Sequence, residues 1–193
     1  MINIRTGCFE TNSSSCHSIV IPKHDTHNYD GRSIHFGLDS YGWETEEYWD
    51  SATYLYSAIV DSFEAKDTEN FLEKLKDILD KHNIHYTFEP IKLENRGKWG
   101  DQYVACNKSI WNYGVDHGGE LRPMIEALLN DENLLMRYLF GDTVIYTGND
   151  NGCDQDDMCY CADEIVRPES TGYRPVPNPN HQSNKYDYFF KGN

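Results

Sequence analysis

Phe9-Glu10-Thr11-Asn12-Ser13-Ser14-Ser15-Cys16-His17-Ser18 is a dense polar run set between Ile2 and Ile4 on one side and Ile19-Val20-Ile21 on the other. Apolar, β-branched flanks around a run of Ser, Thr and Asn read as strand, tight polar loop, strand. Asn and Ser side chains bond neighbouring backbone groups and hold a loop in one shape, so this one can present hydroxyls, an amide and an imidazole together. The same residues also build a purely structural Asx or Ser turn, with His17 capping a carbonyl.

Downstream, Ser33-Ile34-His35-Phe36 alternates as a short strand, and Gly37 to Gly42 is punctuation. From about Glu46, the apolar residues Trp49, Ala52, Tyr56, Ile59, Val60 and Phe63 recur at three- and four-residue steps, which predicts a helix with one buried face. Asp67 or Thr68 is the expected cap of a second helix carrying the stripe Phe71, Leu72, Leu75, Ile78 and Leu79. Ile84, Tyr86 and Phe88 then alternate as a strand stopped by Pro90. Tyr103 to Cys106 and Ser109 to Trp111 are expected to pair about an Asn107-Lys108 turn.

Gly114-Val115-Asp116-His117-Gly118-Gly119 is a second polar loop. It leads into a short helix with Pro123 in its first turn, and Asp131 caps another that runs to Phe140 before Gly141. Thr143 to Thr147 is a strand by β-branched content and opens into a third polar loop, Gly148-Asn149-Asp150-Asn151-Gly152. Residues 1–166 therefore read as one α+β domain, a mixed or antiparallel sheet of short strands flanked by three or four helices. Residues 167–193 read as a Pro/Asn-rich extension ending in an aromatic segment, Tyr186 to Phe190, that is a final strand or folds back as an anchor.

The 193-residue chain has a formal net charge of −15, spread along its length. That field disfavours nonspecific binding to nucleic acid and to anionic membranes, which relies on clustered Lys and Arg. It favours docking on a basic protein surface, where carboxylates take the place of phosphates. Neither a secretory leader nor an apolar run of roughly 18 residues is visible, so the expected setting is the cytoplasm of a bacterial cell.

The opening motif resembles that of an uncharacterised family of small bacterial and bacteriophage proteins beginning F-E-T-N-S-S-S-x-H-S. Asp116-His117 and Thr147-Gly148-Asn149-Asp150-Asn151 are similar to later signatures of that group. The resemblance covers about a fifth of the chain; it implies no activity, but it does imply a phage or mobile-element setting and a link between the three polar loops.

Chemically, the loops hold the parts of a hydrolase or transferase. A hydroxyl of Ser13, Ser14 or Ser15 needs a base within hydrogen-bond reach, which His17 or His117 can supply with Asp116 or Asp150 orienting the ring. Thr11, Asn12, Asn149 and Asp150 are the candidate ligand-binding residues, and turn amides can hold an oxyanion or a phosphate. Nothing matches G-x-S-x-G or a P-loop, so the substrate class stays at a nucleotide-like or other polar small molecule. The rival expectation is a non-catalytic acidic protein that inhibits a host defence or nucleic-acid enzyme by charge mimicry, its partner being a basic host protein.

Cys153, Cys159 and Cys161 lie among Asp154, Asp156 and Asp157. Their C-x5-C and C-x-C spacings miss those of common zinc knuckles, so the expectation is reduced, metal-free thiols. Zinc is the alternative if Cys8, Cys16 or His17 approaches them, and the sequence leaves any cofactor unidentified.

Overall fold

A computed structural model describes residues 15–23, 28–42, 46–63, 65–91, 93–95, 103–105, 114–116, 118–149, 160–161, 164–165, 174–175 and 186–191. In chain order the elements are β1 (Ser15–Pro22), β2 (Ser33–Phe36), β3 (Ser40–Tyr41), β4 (Glu46–Tyr48), α1 (Ser51–Ser62), α2 (Ala65–Lys81), β5 (His85–Phe88), β6 (Leu93–Asn95), β7 (Tyr103–Ala105) and β8 (Gly114–Val115). A 3-10 turn over Gly118–Leu121 leads into α3 (Arg122–Asn130), α4 (Glu132–Phe140), β9 (Val144–Asn149), β10 (Tyr160–Cys161), β11 (Glu164–Ile165), β12 (Arg174–Pro175) and β13 (Tyr186–Lys191). The fold is α+β, with a five-stranded antiparallel sheet of order β12-β13-β1-β9-β4. Two parallel ribbons, β2–β5 and β3–β8, and two antiparallel ones, β6–β7 and β10–β11, complete it.

β1 sits inside the main sheet between β13 and β9. His17, Ser18, Ile19, Val20 and Ile21 are all buried, as expected of a strand covered on both faces. Here the structure corrects the sequence reading: Ser15 to Ser18 lie in the strand and not in a loop preceding it. β9 pairs with all four positions and β13 with His17 and Ser18, so ladder bonds, not Ser side-chain turns, satisfy the backbone here. Gly148 and Asn149 likewise continue β9, paired with Cys16 and Ser15, where a loop was expected. Residues 1–14, including Ile2 and Ile4, lie outside the described residues, as do 109–111.

α1 is the axis of the core. Asp50 caps it, its carboxylate accepting from the Thr53 amide (3.0 Å) and the Thr53 hydroxyl (2.7 Å). Residues 51–60 are all buried, so the helix is enclosed on every side and not on one face as the spacing implied. Trp49 precedes the cap and is 65% exposed, while Glu46–Tyr48 is a strand. The apolar period from Glu46 onward joins a β edge to a helix by coincidence of spacing.

α2 begins at Ala65, two residues before the expected cap. Asp67 lies in its first turn, where a carboxylate suits the positive end of the helix. Thr68 is buried, and its hydroxyl donates to the carbonyls of Ile59 (3.3 Å) and Phe63 (3.4 Å), tying the α1–α2 corner. Leu75, Ile78 and Leu79 are buried and Phe71 and Leu72 half-buried, as the stripe predicts. Asn83, at φ 54°, ends the helix: Ile84 N–H donates to Leu79 O (2.9 Å) and Asn83 N–H to Asp80 O (3.0 Å), the paired bonds of a left-handed C-terminal cap. That cap aims the chain into β5, which pairs with β2 in parallel. β7 pairs with β6; the expected partner about Asn107-Lys108 lies outside the described residues. α3 and α4 match their expected bounds, with the Asp131 carboxylate accepting from Leu134 N–H (3.0 Å).

Tyrosines fill much of the core, and those on α1 and α4 bond through their hydroxyls. Tyr56 donates to Glu89 O (2.8 Å) and Tyr138 to Ser51 O (2.9 Å). Burial pushes the phenols of Tyr41 and Tyr138 above the ordinary tyrosine range, and nearby Asp50 adds to both shifts. The unfolded chain therefore ionises first: the stability these two residues confer is intact below about pH 10 and falls as pH rises past it. An alkaline titration should show a late step in phenolate absorbance that coincides with loss of helical circular dichroism. Complete phenolate formation with the helical signal unchanged would contradict this.

Candidate functional site

Three segments meet at one end of the β1–β9 pair. Ser15 pairs with Asn149, Cys16 with Gly148 and His17 with Thr147, while the turn after β8 brings Asp116 onto His17. The Asp116 turn is held by backbone and by a carboxylate. Asp116 N–H donates to Tyr41 O (2.9 Å), Gly114 N–H to Asp39 O (3.2 Å), and Val115 N–H to Asp61 Oδ2 (3.0 Å) at the far end of α1.

His17 is the centre of this junction and is fully buried. Its Nε2 lies 3.2 Å from Asp116 O and its Nδ1 2.9 Å from the Tyr54 hydroxyl. A carbonyl oxygen only accepts, so Nε2 carries the hydrogen and donates; in the neutral ring Nδ1 then accepts from Tyr54 O–H. The tautomer follows from this hydrogen-bond pattern. One imidazole thus joins the central strand, the core helix α1 and the Asp116 turn. His17 caps a carbonyl, as the plainer sequence reading has it, but from within a strand.

Gly42 closes the remaining side of the ring. Its φ of +97° is a conformation that side-chain-bearing residues rarely adopt. A Cβ at this position would stand 2.9 Å from both Cε1 and Nε2 of His17 and 3.0 Å from Asp116 Cβ. Tyr41, next in the chain, packs edge-on against Tyr54 with centroids 4.9 Å apart, so the wall around the imidazole is aromatic as well as backbone.

Of the candidate site residues, the structure brings Ser15, His17, Asp116 and Asn149 together by strand register and by the His17–Asp116 bond. The side chains of Ser15 and Asn149 are not described, and Thr11, Asn12, Ser13, Ser14, His117 and Asp150 lie outside the described residues. So do Cys153 and Cys159, while Cys161 is described as backbone in β10. Among the described residues, no group of three or more His, Cys, Asp or Glu side chains is arranged to hold a metal, and no helix is long and apolar enough to cross a membrane.

Sequence reasoning missed Tyr54, Gly42 and Asp61. Tyr54 and Asp61 carry no sequence signal beyond their helical phase, because their partners come from distant segments. Gly42 had a partial signal: the Gly37 to Gly42 stretch reads as punctuation, and a Gly in such a turn is where close backbone approach to a ring is feasible. No family model, no curated protein and no solved structure matches the chain.

Proposed function

We propose that the chain is a small enzyme of phage or mobile-element type that binds a nucleotide-like or other polar small molecule at the end of the β1–β9 pair and carries out hydrolysis or group transfer. The observation that carries this reading is the meeting of Ser15, His17, Asp116 and Asn149 from three remote segments. Remote polar segments gathered at one end of a sheet supply several kinds of chemistry to one place. In this reading His17 is a positioning residue, since each of its ring nitrogens already has a partner. The reacting groups come from the adjoining Thr11–Ser15, Asp116-His117 and Asn149-Asp150 segments, with a Ser hydroxyl as nucleophile and His117 as base.

The test is a panel of nucleotides, phosphoesters and acyl esters followed by product detection, with wild type beside the Ser13→Ala/Ser14→Ala/Ser15→Ala triple variant and His117→Asn. A turnover lost by about 10²-fold or more in each variant supports the reading. Absence of turnover across the panel, or a turnover the variants leave intact, sinks it.

A second reading, charge mimicry of a basic partner, has its own observation. Glu69, Glu73, Asp77 and Asp80 follow one another along α2 at three- and four-residue steps, and all four are exposed. A partner held by that face is lost as salt rises, because exposed charges are screened beyond about 8–10 Å at physiological ionic strength.

A further inference from the structure

The five-stranded sheet ends at β4, and among the described residues no strand pairs with the outer side of Glu46–Tyr48. An open edge offers N–H and C=O groups from alternate residues, a template for another chain. Three further features lie at this edge. Trp49, directly after the strand, is 65% exposed and is the large apolar side chain on the described surface. Glu47 is exposed, with no hydrogen bond or ion pair among the described residues. Glu46 is exposed too, and accepts from the Tyr48 hydroxyl, whose ring packs edge-on against Tyr41. Glu46 and Tyr48 share one face of the strand, which the Tyr48 ring anchors, and Glu47 takes the other, so an exposed carboxylate flanks the open edge on each face, with the indole directly after it.

We propose that this edge accepts an extended, basic protein segment as a sixth strand. Edge glutamates guard against self-pairing, since a second copy would lay Glu46 and Glu47 against their own kind. The same charges do not repel a strand bearing Arg or Lys. Such a strand makes main-chain bonds with the edge, pairs its cations with the two carboxylates, and can stack a guanidinium on Trp49. The net charge of −15 raises the rate of encounter with a cationic partner. The sign of the partner rests on the charge reading above; the place and the strand geometry do not, and neither involves His17.

The probe is a short labelled peptide of alternating arginine and valine, titrated with the full chain by fluorescence anisotropy. Binding is expected, weakened about tenfold by Trp49→Ala and by a similar factor by Glu47→Lys. Trp49 is exposed, so Trp49→Ala keeps the fold, which circular dichroism checks. N-methylation of alternate peptide amides, which retains charge but removes main-chain donors, should abolish binding. Equal binding of methylated and plain peptides overturns the proposed edge pairing while leaving the charge reading standing; with the titration repeated at raised salt, binding that ignores salt overturns the basic character assigned to the partner. No binding of the plain peptide, or an oligomer of the chain that Trp49→Ala dissociates, also overturns the proposal.

Discussion

Replacing His17 with Ala should cost about 4 kcal/mol of folding stability, a large part of the roughly 5–15 kcal/mol that holds a domain folded. Two effects add. The fully buried ring leaves a cavity, and large-to-small changes of this kind cost about 2–5 kcal/mol. The Tyr54 hydroxyl and Asp116 carbonyl, at 2.9 and 3.2 Å from the ring, each lose a partner, at about 1–3 kcal/mol for a buried polar group. His17→Phe separates the two, since the somewhat larger ring leaves no cavity but restores neither bond. It should retain about half of the loss or more, whereas Tyr54→Phe removes the bond to the ring and no packing. Urea unfolding of the single and paired variants measures the coupling between positions 17 and 54. A His17→Ala loss below about 1 kcal/mol would mean that the imidazole does not join the three segments.

Gly42→Ala should cost about 3 kcal/mol, more than most alanine-for-glycine changes. The left-handed backbone at φ +97° accounts for about 1–2 kcal/mol of this. The rest comes from a Cβ placed 2.9 Å from a ring that Tyr54 and Asp116 prevent from moving. Gly31 supplies the control: its φ is +71°, but nothing lies within 4 Å of its Cβ position, so Gly31→Ala should show the backbone cost alone. Combining Gly42→Ala with His17→Ala removes the obstructing ring, and the paired loss should fall clearly short of additivity. Additive losses would show that position 42 is sensitive for reasons unconnected with the imidazole.

The elements were legible where local chemistry determines them. Asp131 as a helix cap, Pro123 in a first turn, the α2 stripe and the alternation of residues 84–88 are short-range patterns, and the structure follows them. The misreadings arose where a distant partner decides. Ser15 to Ser18 look like a loop because nothing nearby tells them apart from a Ser-rich turn. They are a strand because Asn149 back to Tyr146 pairs with all four positions on one side, and Lys191 and Phe190 pair with His17 and Ser18 on the other. Tyr54 reads as one more apolar residue of a helix until β1 sets His17 against it. The candidate site was legible as a set of polar segments, and their meeting at one sheet end came from register, which no local signal encodes.

The strand order also has a meaning in time. Val20 is paired with Val144 on one side and Tyr188 on the other, so a ribosome making about 5–20 residues per second releases β1 many seconds before either neighbour exists. Ile19-Val20-Ile21 spends that interval without its sheet, then with β9 alone, and is enclosed only when Tyr186–Lys191 arrives. The enclosed stretch of β1 is thus made well before the strands that enclose it, and its apolar run needs protection from other chains while synthesis continues.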